Sequence, residues 1–115
     1  MSEIPDSVRV ALEGLRALGG DDLVKQMVVV FIEYSNGRVA ALQSAADADD
    51  PRGASEAAHA LKGSARQLGL MAMADACLAV ETVGRTGDAA GTKALTAAVQ
   101  TSYTTAVKWL ESITA

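Results

Sequence analysis

Between Leu23 and Asp47 the apolar residues fall at a spacing that one kind of element satisfies. Val24, Val28, Phe31, Ser35, Val39, Leu42 and Ala46 recur every three or four positions, which gathers them on one stripe of an α-helix. A local reading competes with this one. Met27 to Ile32 is rich in β-branched residues, and Asn36-Gly37 is a frequent hairpin turn pair. The return strand such a hairpin needs, Arg38 to Leu42, is alanine-rich and does not alternate. The segment therefore reads as one long amphipathic helix, in which Gly37 costs about 1 kcal/mol relative to alanine.

A helix with a single apolar stripe must bury it against other elements, and punctuation along the chain shows where they lie. Gly19-Gly20 closes a short first segment, after which Asp21 or Asp22 can cap the next. Asp50-Pro51 combines a capping carboxylate with proline at the first helical position. Gly69 and Gly87-Asp88 mark two further breaks. The predicted helices are 6–18, 22–48, 51–68, 71–86 and 88–113. In the last, Leu95, Val99, Ser102 or Tyr103, Ala106 and Leu110 repeat the stripe more weakly, with Trp109 near it. Half of the 115 residues are hydrophobic but only 3% are aromatic, so alanine, leucine and valine carry the core and suit closely packed helices. The expected fold is all-α: an antiparallel up-and-down four-helix bundle, with a short additional N-terminal helix laid across it, forming a single domain over 1–115.

Several function classes drop out on composition. The net charge of −4 argues against a general nucleic-acid binder. The longest unbroken apolar run, Met27 to Ile32, is too short to cross a bilayer, and the start Met1-Ser2-Glu3-Ile4-Pro5-Asp6 lacks the basic and apolar regions of a secretory signal. A cytoplasmic protein without membrane attachment is expected. Cys77 is the single cysteine and lies among apolar neighbours, so it reads as a buried core thiol. One histidine and one cysteine far apart are poor material for a zinc site, and no glycine-rich phosphate loop suggests ATP binding. Met71 and Met73 read as gap-fillers, not as a cofactor box.

Chemistry concentrates in the 51–68 helix. Ala54, Ala57, Ala58, Leu61, Ala65 and Leu68 gather on one side and form its core stripe. His59, Gly63 and Arg66 point the opposite way, flanked by Lys62 and Glu56. The only histidine is thus expected to stand exposed in mid-helix. Gly63, one turn later on the same face, costs about 0.5–1 kcal/mol against alanine. Room for another molecule to approach the ring is one physical reason to accept that cost. Lys62 and Arg66 add cations around the same spot in an acidic chain. An exposed imidazole, an open floor and local positive charge suit a transient phosphoryl group.

His59-Ala60-Leu61-Lys62-Gly63-Ser64-Ala65, followed by Leu68-Gly69-Leu70, resembles the signature of the histidine phosphotransfer (HPt) domains of bacterial and eukaryotic phosphorelays. The resemblance runs from about Gly20 to Asp88 and takes in Phe31, Cys77, Leu78, Glu81, Arg85 and Gly87-Asp88. It implies that His59 is the phosphorylated residue, with Nε2 attacking a receiver phosphoaspartate. It further implies that Lys62 helps neutralise the phosphoryl group and that Gly63 clears space for the receiver. Glu81 falls where many members place a glutamine or glutamate that holds the ring's Nδ1–H. Arg66 and Arg85 are candidate partner contacts, Arg85 either restraining Glu81 or meeting the phosphoryl group. Ser64 faces the bundle and is given a packing role.

The resemblance implies a phosphohistidine carrier and not an enzyme, with no ATP-dependent kinase activity and no cofactor of its own. Mg²⁺ is expected on the partner receiver. The implied partners are response-regulator receiver domains, a hybrid sensor histidine kinase, or both, with apolar residues such as Met27 or Val30 in the docking surface. A monomer is expected. Two other readings stay open: an HPt-like module that docks receivers or kinases without transferring phosphate, and a phosphoacceptor domain taken from a larger kinase. Blander readings also exist for single residues, since Arg66 could be a solvated charge and Glu81 with Arg85 a surface pair of minor energy.

Overall fold

A computed structural model describes residues 4–115 of the chain. Met1 to Glu3, where the stretch read for a targeting signal begins, lie outside the described residues. Four helices follow one another: α1 (Asp6–Asp47), α2 (Pro51–Gln67), α3 (Met71–Arg85) and α4 (Ala89–Thr114). Each packs against the next and α4 returns to α1, while α2 and α4 barely meet across the diagonal, which closes a four-helix bundle. No strand occurs among the described residues, so the hairpin alternative at Asn36-Gly37 is excluded.

The expected break between a first and a second helix takes a different form. α1 runs through it, and Gly20 alone leaves helical geometry, at φ 73° and ψ −167°. Only glycine adopts such a positive φ without steric cost, so one residue is enough to redirect the chain. The limb before Gly20 lies across the bundle as expected. Val8 and Leu12 are buried, and Ser7 Oγ donates to the Gly69 carbonyl at the α2–α3 turn over 2.6 Å. Asp21 accepts from Arg16 Nε at 2.7 Å, so this carboxylate ties the kink together instead of serving as the cap that its position suggests.

The other stops behave as read. Asp50 accepts from Gly53 N at 3.0 Å with Pro51 in the first turn, and Asp88 accepts from Gly91 N at 2.9 Å. Gly69 and Gly87 carry positive φ angles of 71° and 82° after α2 and α3. These short turns make consecutive helices antiparallel and set α3 directly beside α2.

All seven stripe residues of α1 are buried, as are all six apolar stripe residues read for the 51–68 helix. In α4 the stripe is shifted. Thr92 and Thr96 are buried, whereas Leu95 only packs part-buried against the core. The threonines are tolerated inside because their hydroxyls donate to the Asp88 and Thr92 carbonyls, at 2.7 and 3.0 Å. Of the alternatives Ser102 and Tyr103, Tyr103 is the buried one. Its ring lies 6.3 Å from that of Phe31, and its hydroxyl donates to Asn36 Oδ1 at 2.6 Å. Asn36 is therefore a helical residue that ties α1 to α4. Met73 fills the core, but Met71 is exposed. Cys77 is fully buried; burial, reinforced by the charge of Glu81, pushes its thiol up to about 12 and keeps it protonated. No helix among the described residues is long and apolar enough to cross a membrane.

Two glycines should respond in opposite directions to alanine. Nothing lies within 4 Å of a Cβ added at Gly37, so Gly37→Ala is expected to stabilise the fold by about 0.5–1 kcal/mol. A Cβ at Gly69 would stand 2.1 Å from the Ser7 carbonyl oxygen on a residue with φ +71°, so Gly69→Ala should destabilise by at least about 1–2 kcal/mol. Urea unfolding midpoints of the two variants check both signs.

Candidate functional site

The site is built where α2 and α3 come close. Gly84 makes the approach possible: a Cβ there would lie 2.5 Å from the Pro51 carbonyl oxygen and 2.9 Å from Ser55 Cβ. Ser55, one turn before His59, is buried and donates its hydroxyl to the Glu81 carbonyl across the same contact at 3.0 Å. Neither residue was singled out from the sequence. A glycine inside an otherwise strong helix, three residues after a candidate acid, is the signal that points to Gly84.

This approach puts the Glu81 side chain between the two helices, with 2% of its surface exposed. His59 Nδ1 lies 2.7 Å from Glu81 Oε2, and Lys62 Nζ donates to Oε1 at 2.5 Å. Arg85 Nη2, from the next turn of α3, donates to Oε2 at 2.5 Å. Glu81 is thus no surface pair: one buried carboxylate gathers the histidine, the lysine and the arginine. Burial by itself would raise its pKa. The hydrogen bonds from Lys62 and His59, together with the charges of Lys62 and Arg85, outweigh burial and hold the carboxyl below its ordinary value. An ionised carboxylate accepts only, so the hydrogen shared with the ring belongs to Nδ1 and the lone pair of a neutral imidazole lies on Nε2.

The ring is fixed on its inner side and open on the other, with 64% of the His59 side chain exposed. Gly63 lies on the same face and has open space where a Cβ would be. No neighbour inside the chain demands a glycine there. Lys62 is mostly covered, at 14% exposed, while Arg85 is 67% exposed. Beside the ring is a cleft of about 360 Å³ lined by Arg52, Ser55, Glu56, His59 and Arg85. Arg52 is a site neighbour that the sequence reading passed over. It stands seven residues before His59, two helical turns away on the same face, which is the spacing that could have found it.

Other expected members are more distant. Arg66 is exposed in the last turn of α2, and no hydrogen bond joins it to the Glu81 cluster among the described residues. Met27 and Val30 line a shallow groove with Tyr34, Ser64 and Gln67, next to α2 but beyond Gly63 from His59. Ser64 is half-buried between α1 and α2, in line with packing. No grouping of three or more histidine, cysteine, aspartate or glutamate side chains suited to a metal ion occurs among the described residues.

Fold and site together define a helical bundle that displays one imidazole on the outside of a helix and holds it from within. The family model described as "Hpt domain" matches residues 26–109, and the chain belongs to that family. Hpt domains are phosphocarrier modules that work with receiver domains and kinases in phosphorelays. Comparisons with curated proteins and with solved structures gave no match.

The depressed Glu81 titration fixes a sign for acid stability. A carboxyl whose folded value lies below its ordinary 4.5 stabilises the fold at higher pH and loses that contribution as pH falls through the folded value. Glu81→Gln should therefore cost about 1–3 kcal/mol near neutrality, with the gap from wild type narrowing below pH 4.5. Urea unfolding repeated from neutral to acid pH checks the trend.

Proposed function

We propose that this chain is a phosphorelay carrier that accepts a phosphoryl group on His59 from a receiver phosphoaspartate or a kinase and passes it to another receiver. The observation behind this reading is the pairing of a buried, ionised Glu81 on Nδ1 with an imidazole otherwise open to solvent. The Nε2 lone pair attacks phosphorus, a bond to nitrogen forms, and the acyl-phosphate P–O bond breaks to release the partner's aspartate. Transfer onward reverses these steps.

Each residue then has a task. Glu81 orients the ring and selects its tautomer. Lys62, bonded to the same carboxylate as the ring, offsets the charge that arrives with the phosphoryl group. Gly63 leaves the floor beside the ring free for the receiver. Arg85 restrains Glu81 and, with Arg66, faces the partner. Met27 and Val30 extend the docking surface with apolar contact. The chain brings no nucleotide site and no cofactor to the reaction; Mg²⁺ and the aspartate belong to the receiver. The working form in this reading is a cytoplasmic monomer that binds neither membrane nor nucleic acid, its partners being response-regulator receivers, a hybrid sensor histidine kinase, or both.

Phosphotransfer from a panel of phosphorylated receivers provides the test. Wild-type protein is expected to take up acid-labile label and His59→Gln to take up none. Gly63→Ala should fold at least as stably as wild type and still transfer more slowly, because its methyl group meets only the partner. Binding of a receiver with no transfer from any donor would replace the carrier with a docking module. Sedimentation mass should be that of a monomer at all concentrations, and a concentration-dependent dimer would contradict this part of the proposal.

A further inference from the structure

Gly63 and the apolar groove occupy one side of His59, and the cleft on the other side has no task in the transfer itself. Resting on the carrier reading, we propose that this cleft is a specificity site. Arg52 takes a side-chain carboxylate on the rim of the receiver, and Glu56 limits where that carboxylate can stand.

Arg52 carries the wrong charge for its local position. It lies in the first turn of α2, which holds no acidic residue, at the helix end where the backbone dipole favours anions over cations. Nothing inside the chain compensates. Arg52 is exposed, and no hydrogen bond or ion pair joins it to another described residue. Glu56 follows four residues later, but a cation ahead of the acid is the weaker order for a pair along a helix. Lys62 and Arg85 both donate to Glu81. Arg52 is therefore the uncommitted cation of the cleft, and its flat fork of donors matches a carboxylate.

Helix geometry says which acid of a partner can reach it. Arg52 stands ~10 Å along the α2 axis from His59, and both side chains lean toward the same helix end. An acid that meets Arg52 while phosphorus meets Nε2 is about that far from the transferred group. Mg²⁺ takes its oxygen ligands at about 2.0–2.1 Å, so the acids that hold the metal crowd around the phosphoaspartate and stay short of Arg52. The carboxylate is a rim residue, outside the chemistry.

The groove of Met27, Val30 and Tyr34 lies on the other side of His59, against the later half of α2. From Arg52 in the cleft to Gln67 in the groove is ~22 Å along the helix. A standard footprint of about 800 Å² a side is ~30 Å across, so one receiver spans both. Apolar contact has no direction of its own. A charge pair on the opposite side of the transfer point fixes how the receiver is rotated about it. Glu56 sharpens this: exposed, unpaired and nearer the ring in sequence, it repels a carboxylate displaced from Arg52 toward His59.

Initial rates of phosphoryl transfer from a panel of phosphorylated receivers test the assignment, comparing wild type with Arg52→Glu and Glu56→Gln. Arg52→Glu places an acid where the helix dipole favours it, so the variant folds. With the best wild-type donor at low salt, Arg52→Glu should raise KM about tenfold with kcat little changed, and Glu56→Gln should lower KM. High salt should close most of both gaps. One rim acid of that receiver, changed to arginine, should restore transfer to Arg52→Glu. Wild-type KM in Arg52→Glu, or no rescue by any such reversal, would overturn the proposal. So would a raised KM in Glu56→Gln, which would mean that the receiver offers a cation. A fall confined to kcat would place Arg52 on the phosphoryl group and overturn it as well. Wild type that binds receivers but takes no label would remove the carrier role, and the Kd of Arg52→Glu against wild type would still decide the cleft. Wild type that neither binds nor exchanges with any receiver would overturn both.

Discussion

A carboxylate taken out of water between two helices needs several donors to offset its lost hydration, and this structure supplies three to Glu81. Two come from α2 and one from its own helix. Losing any of them leaves charge insufficiently solvated at a buried position, so the α2–α3 register is held where all three can reach. Gly84 permits the required separation, and the Ser55 hydroxyl ties the Glu81 carbonyl into the same contact. The remaining architecture serves this pairing. The short turn at Gly69 makes α2 and α3 neighbours, and the first limb of α1 braces that turn through Ser7.

α2 divides its two tasks by face. Its inner face is made largely of alanines that let neighbouring helices approach closely, while its outer face carries His59 and Gly63. The ring is thus mounted on a rigid element and oriented from beneath by the adjacent helix, with its other side open. This arrangement has a chemical consequence. One ring nitrogen is committed to the protein interior and the exposed side of the ring is left open, so in the proposed reaction a group on Nε2 would not compete with the bond that orients the ring.

Much of this was legible in the residue order because helical periodicity alone sorts faces. The stripe from Val24 to Ala46 and the opposed faces of α2 follow from an advance of 100° per residue, and neither depends on what packs against them. The caps at Asp50 and Asp88 are equally local, since a side chain three residues away satisfies them. Other features depended on neighbours that periodicity does not name. Leu95 looked like the natural core residue of α4, but Thr92 and Thr96 occupy the interior because their hydroxyls bond their own helix. Gly20 looked like a gap between helices, yet a positive φ at one residue made it only a kink. Asn36 reads correctly as helical, but only the fold shows that Tyr103 from α4 uses it as an acceptor.

The sequence by itself determined most helix boundaries, the apolar faces of α1 and α2 and the outward face of His59, all of which arise from interactions within a few residues of the chain. The motif from His59 to Ala65 also carried the family resemblance that the match over residues 26–109 establishes. Only the tertiary structure decided that Glu81 is buried, that its carboxylate joins His59, Lys62 and Arg85, and that Arg52 stands beside the ring. Those facts concern residues brought together from two helices. Burial and electrostatic coupling depend on distance in space, and the close approach at Gly84 sets that distance.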